Sequence, residues 1–158
     1  MNEQFRSYLT FLGSLRQGLE TLTVLAGQKI SAVEQDDLIA LDEVLRQEQA
    51  QALNFRGLEL TREKLQNELG LQGVPLSQLP ERCPPALREE ARQAAAALQN
   101  QYRTYQTEAQ RARELLEKNL QDVESVIAAM GVKPDATGPG YSGPNAQLPK
   151  SMKTDFRA

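Results

Sequence analysis

The sequence contains no histidine and no tryptophan, a single cysteine (Cys83), and only 5% aromatic residues. Each absence removes a class of chemistry. One thiol cannot build a disulfide framework, and without histidine a Cys/His metal site or a Cys-His nucleophile pair is out of reach within one chain. Gly-rich phosphate loops, nucleophile elbows and zinc-ligand spacings are also missing. The paired carboxylates Asp36-Asp37 and Glu89-Glu90 fall at helix starts, where capping accounts for them without a reaction. The expectation is a protein that is not an enzyme and uses no metal or other cofactor. No apolar window reaches bilayer-spanning length, and Met1 to Arg6 is not a basic leader followed by an apolar run, so membrane insertion is not expected and a cytoplasmic location is.

Charge is equally unassertive. The 18 basic and 21 acidic residues give a net charge of -3 and are largely interspersed, which leaves no strong footprint for nucleic acid. The local cluster Arg103, Arg111, Arg113 and Lys118 has Glu108, Glu114 and Glu117 among it and reads as a solvated helix face. With few aromatics, a 40% hydrophobic share implies a thin core of Leu and Ala, as in an elongated bundle.

What the chain does have is helical periodicity. From Pro85 to Met130 an apolar stripe recurs at 4,3 spacing: Leu87, Ala91, Ala94, Leu98, Tyr102, Tyr105, Ala109, Ala112, Leu116, Leu120, Val123, Ile127 and Met130. That is a coiled-coil seam on a rod of roughly 65 to 70 Å, with no Gly or Pro interrupting it. A second long helix is predicted over about residues 2 to 34, its seam formed by Phe5, Tyr8, Leu12, Leu15, Leu19, Leu22, Ala26, Ile30 and Val33. Gly13, Gly18 and Gly27 lie beside that seam, and their role is not legible. Glu34 to Asp37 reads as a tight reversal with Asp37 as N-cap. The helix that follows carries Leu38, Leu41, Val44 and Leu45, then a nearly all-polar middle from Arg46 to Gln51, then Ala52, Phe55, Leu58, Leu65 and Leu69, and stops at Gly70. Its seam is expected to be weak at the centre.

Pro75, Pro80, Pro84 and Pro85 limit the connector from Leu71 to Pro84 to single turns, with Ser77 a candidate cap and Cys83 a packed thiol. After Met130 the composition shifts to Gly and Pro. Residues 132–158 are therefore predicted to be a flexible tail, separate from a helical domain over residues 1–131. The tail carries Tyr141 and Phe156, with Leu148, Met152, Lys150, Lys153 and Arg157 nearby. An isolated aromatic in such a segment suits a short recognition motif that orders on binding. The fold expected is all-α: an antiparallel bundle of three long helices, the C-terminal one extended beyond the other two and followed by a disordered tail. The uncovered end of the long helix, around Leu116 to Met130, would offer a helix-in-groove site. Permanent self-association through the same stripe, in a structural assembly protein without cargo, is the competing use.

The order of features adds a resemblance. It comprises a long Leu-rich helix, the turn Asp37-Leu38 followed by Leu41 and Leu45, the run Thr61-Arg62-Glu63-Lys64-Leu65-Gln66-Asn67-Glu68-Leu69-Gly70, the run Arg113-Glu114-Leu115-Leu116-Glu117-Lys118-Asn119-Leu120, and a Gly/Pro tail with Tyr141 and Gly143. Together these resemble the FlgN family of flagellar export chaperones, across essentially the whole chain. The resemblance implies a cytosolic, cofactor-free chaperone that binds the C-terminal segments of the hook-filament junction proteins FlgK and FlgL, prevents their premature association and delivers them to the export gate component FlhA. It also implies cargo contacts at Leu115, Leu116, Leu120, Val123, Val126, Ile127 and Met130, and export-gate docking through Tyr141. A homodimer that cargo converts to a 1:1 complex is expected as well.

Overall fold

The computed structural model describes residues 2–131. Within them the secondary structure is entirely helical: α1 (Asn2–Glu34), α2 (Leu38–Leu69), the one-turn α3 (Leu79–Arg82) and α4 (Arg88–Ala129), with 3-10 turns at Leu76–Gln78 and Pro85–Leu87. The helix count is four rather than three, because Pro80 at the start of α3 permits one helical turn inside the connector. Ser77 does not cap that turn; it lies within the preceding 3-10 segment.

The reversal between α1 and α2 is built as its sequence suggests. Asp37 Oδ1 accepts from the Ala40 N–H at 3.0 Å, satisfying one of the amides left free at the start of α2. Asp36 adopts φ 52 in the turn, a left-handed conformation that Asp tolerates better than most residues. At the other end of α2, Gly70 takes φ 68, and Leu71 N–H closes back onto Gln66 O at 2.8 Å. This left-handed glycine stop satisfies carbonyls that the helix leaves open.

α1 is the central helix, packing along both α4 and α2, whereas α2 and α4 approach each other closely at few points. Contact pairs fix the directions. Gly18 lies against Phe55 and Lys29 against Glu48, so α2 descends as α1 ascends. Thr23 meets Gln101 at 3.2 Å, and Gly27 faces Glu108, so α4 ascends with α1. All nine α1 seam residues, from Phe5 to Val33, are buried.

The larger part of the core sits at the connector end. There Phe5, Tyr8, Leu12, Leu15 and Leu19 of α1 meet Phe55 of α2, Leu71, Leu76, Leu79, Cys83 and Leu87 of the connector, and Ala91, Ala95, Leu98, Tyr102 and Tyr105 of α4. Cys83 is a packed thiol whose pKa burial pushes up. Gly18 has a definite role: a Cβ there would stand 2.9 Å from Phe55 Cδ2 and 3.3 Å from Cε2. Its missing side chain lets the Phe55 ring seat against α1, which offsets the helix-propensity cost. Gly13, by contrast, has nothing within 4 Å of such a Cβ.

The polar middle of α2 is not simply a weak seam. Glu48 is buried there and meets Lys29 of α1, whose Nζ lies 2.8 Å from Oε1 and 2.9 Å from Oε2. Further along, Glu59 and Arg62 are also buried, with Arg62 Nε donating to Glu59 Oε2 at 3.0 Å and its NH2 group donating to Oε1. Leu38, expected to open the α2 seam, is instead 76% exposed. It lies at the very tip of the hairpin, immediately after the Asp37 cap.

Candidate functional site

The α4 seam changes character along its length. Leu87, Ala91, Leu98, Tyr102, Tyr105 and Ala112 are buried, and Ala94 and Ala109 are half-buried against the core. Beyond Ala112 the same periodic positions open to solvent. Leu115, Leu116 and Ile127 are half-buried, while Leu120, Val123, Val126 and Met130 are 51%, 54%, 60% and 73% exposed.

The cause is length. Thr23 sits beside Gln101 and Gly27 faces Glu108, so the offset between α1 and α4 is close to 80 residues. Carried forward at one helical rise per residue, that register brings the end of α1 level with about residue 114 of α4. From there to Ala129, α4 has no further α1 to pack against, a stretch of roughly 20 Å. The stripe continues because the sequence repeats; its cover ends because α1 turns at Glu34. At the hairpin tip Leu38 and Ile39 are exposed as well, adding apolar surface near the level where the strip begins.

All seven strip positions named from the sequence, Leu115, Leu116, Leu120, Val123, Val126, Ile127 and Met130, therefore fall on one continuous end of α4. Tyr141 lies outside the described residues. Polar neighbours frame the strip: Glu117, Lys118, Asp122 and Glu124 are exposed. Gly131 ends it with φ 79, its N–H bonded to Ala128 O at 3.0 Å. Upstream, Gln106, Thr107, Gln110, Arg111 and Glu114 line a shallow, open groove. Arg103, Arg111, Arg113 and Lys118 are all exposed, with Arg111 3.6 Å from Glu108.

Sequence reading missed the buried charges. At the centre of the molecule, Lys29 and Glu48 stand near the buried Tyr102 and Tyr105 of α4. Burial raises the Glu48 carboxyl above its ordinary value of 4.5, against the opposing hydrogen bond and charge of Lys29. Burial, together with the Glu48 and Tyr102 charges, pushes the Tyr105 phenol up to about 12, Arg113 opposing. The signal was available: Glu48 follows Val44 by four and precedes Phe55 by seven, so it occupies a seam position. These groups sit between helices, not in a cleft, and they read as structural.

Among the described residues there is no group of three or more side chains arranged to hold a metal ion, and no helix is long and apolar enough to cross a membrane. Among the described residues the fold is all-helical, and the seam of its last helix outruns its partners, leaving a strip of Leu, Val, Ile and Met uncovered. The chain matches the family model described as FlgN protein over residues 1–148 and belongs to that family, one of flagellar export chaperones rather than enzymes. No curated protein and no solved structure matches it.

Proposed function

We propose that the protein is a cytoplasmic chaperone whose α4 strip binds the C-terminal amphipathic segments of the hook-filament junction proteins FlgK and FlgL. It holds them apart until they reach the export gate, where Tyr141 docks on FlhA. The long helices α1, α2 and α4 form an antiparallel bundle over residues 1–131, and residues 132–158 serve as a flexible tail that carries the docking tyrosine. The observation that supports this most is the exposure of Leu120, Val123, Val126 and Met130 on a helix whose seam positions up to Ala112 are buried or half-buried. Sealing such a stripe against an amphipathic helix removes apolar area from water on both partners, at about 25 cal/mol per Å². The same contact hides the cargo terminus that would otherwise self-associate.

Sedimentation of the free protein and of mixtures with FlgK or FlgL C-terminal peptides tests this reading. The free protein is expected to self-associate at high concentration and to convert to a 1:1 complex when peptide is added. An assembly that ignores saturating peptide would point to the alternative, a structural oligomerisation protein without cargo.

A further inference from the structure

We infer that, in the free monomer, the α4 strip is covered by the chain's own segment 148–158. This rests on the reading of the strip as a binding face and names what holds that face before cargo arrives. The segment Leu148-Pro149-Lys150-Ser151-Met152-Lys153-Thr154-Asp155-Phe156-Arg157-Ala158 places Leu148, Met152 and Phe156 four residues apart, the spacing that presents three apolar side chains on one helical face. The strip presents its own on one face too, with Leu116, Leu120, Val123, Ile127 and Met130 at alternating spacings of four and three.

Charge matches as well. Residues 115–130 carry Glu117, Asp122 and Glu124 against Lys118, a net of -2, whereas residues 148–158 carry Lys150, Lys153 and Arg157 against Asp155, a net of +2. The framing acids of the strip are exposed and so placed to meet those bases.

Geometry permits the contact within one molecule. Gly131, in the left-handed region, takes the chain off the α4 axis where the strip ends. Seventeen chain steps separate Gly131 from Leu148, in a stretch rich in Gly and Pro, and a coil of that length would have a root-mean-square span of roughly 20 to 25 Å. Running back from Met130 to Leu116 requires about 21 Å along the helix. A tether matched to its span gives an effective concentration in the millimolar range, enough for a short apolar segment with weak intrinsic affinity to hold its site. Cargo must then displace the tail.

Amide hydrogen exchange on the full-length protein, with no cargo present, tests the contact directly. Residues 116–130 are expected to exchange roughly fivefold faster in the Leu148→Asp/Met152→Asp/Phe156→Asp variant than in the parent, while α1 and the connector end are unchanged. Adding a synthetic peptide of residues 145–158 to the variant is expected to restore protection. Equal exchange in parent and variant would overturn the proposal. Protection in the parent that fades on dilution would overturn it too, because the cover would then come from a second copy. The outcome is separable from the cargo reading: tail-dependent protection without FlgK or FlgL peptide binding keeps this proposal and removes that one, and the converse pattern does the reverse.

Discussion

Lys29 and Glu48 form a buried ion pair between α1 and α2, with Nζ 2.8 Å from Oε1 and 2.9 Å from Oε2. The pair stands where the large connector-end core gives way to smaller side chains such as Ala26, Ala32, Val33 and Val44. Removing water from two charges costs several kcal/mol per ion, so a pair like this contributes little net stability, but breaking it is expensive. Lys29→Met should destabilise the fold by about 3 to 5 kcal/mol, because it strands a buried carboxylate. The double change Lys29→Met/Glu48→Leu should be neutral or stabilising by up to about 4 kcal/mol. Urea unfolding of the three proteins checks this; a double variant as unstable as the single would show that the pair holds the helices together.

The pH dependence follows from the same site. Because burial raises Glu48 in the folded state, the folded protein holds that proton more tightly than the unfolded chain does. The stability contributed by this group is complete below the ordinary value of 4.5 and is lost as pH rises through the folded value. Parent minus double variant should therefore show unfolding free energy falling from acid towards neutral pH. Tyr105 acts in the same sense at the alkaline end, with stability lost between its ordinary value of 10 and about 12. Phenolate absorbance should show a late-titrating component that is lost in Tyr105→Phe and titrates earlier once Glu48 is removed.

Two glycines of α1 should respond in opposite directions to the same substitution. Gly13→Ala meets open space and should stabilise by up to about 1 kcal/mol through helix propensity. Gly18→Ala drives a methyl to within 2.9 Å of the buried Phe55 ring, and overpacking of this kind costs about 1 to 3 kcal/mol. Thermal unfolding of both variants measures the difference. Equal stabilisation would mean that the Phe55 contact is soft.

On the strip, Val123→Asp/Ile127→Asp should abolish binding of FlgK and FlgL C-terminal peptides, since each change puts a charge into the apolar contact. Global stability should change by no more than about 0.5 kcal/mol per site, because Val123 is exposed and Ile127 only half-buried. Tyr141→Ala should leave peptide binding intact and weaken FlhA docking. Calorimetric titration with each partner separates the two; equal loss of both activities from either variant would refute the division of labour.

Period and punctuation in the sequence determined the helices. The 3,4 spacing from Phe5 to Val33 marks side chains that are buried in fact, that from Leu87 to Ala112 side chains that are buried or half-buried, and Asp37 and Gly70 act as the caps their types suggest. Local chemistry suffices there, because a repeat defines a face and a capping side chain needs only its own neighbours. Tertiary structure decided the remainder. Glu48 and Lys29 are charged residues at seam positions, and only a facing helix carrying the opposite charge makes burial of either tolerable. Gly18 gained a role only once Phe55 was placed against it. The strip shows the division most clearly: Ala112 and Val123 belong to one uninterrupted repeat, yet one is sealed and the other open. The repeat says which side of α4 is apolar, and only the point at which α1 turns away says where that side runs out of cover.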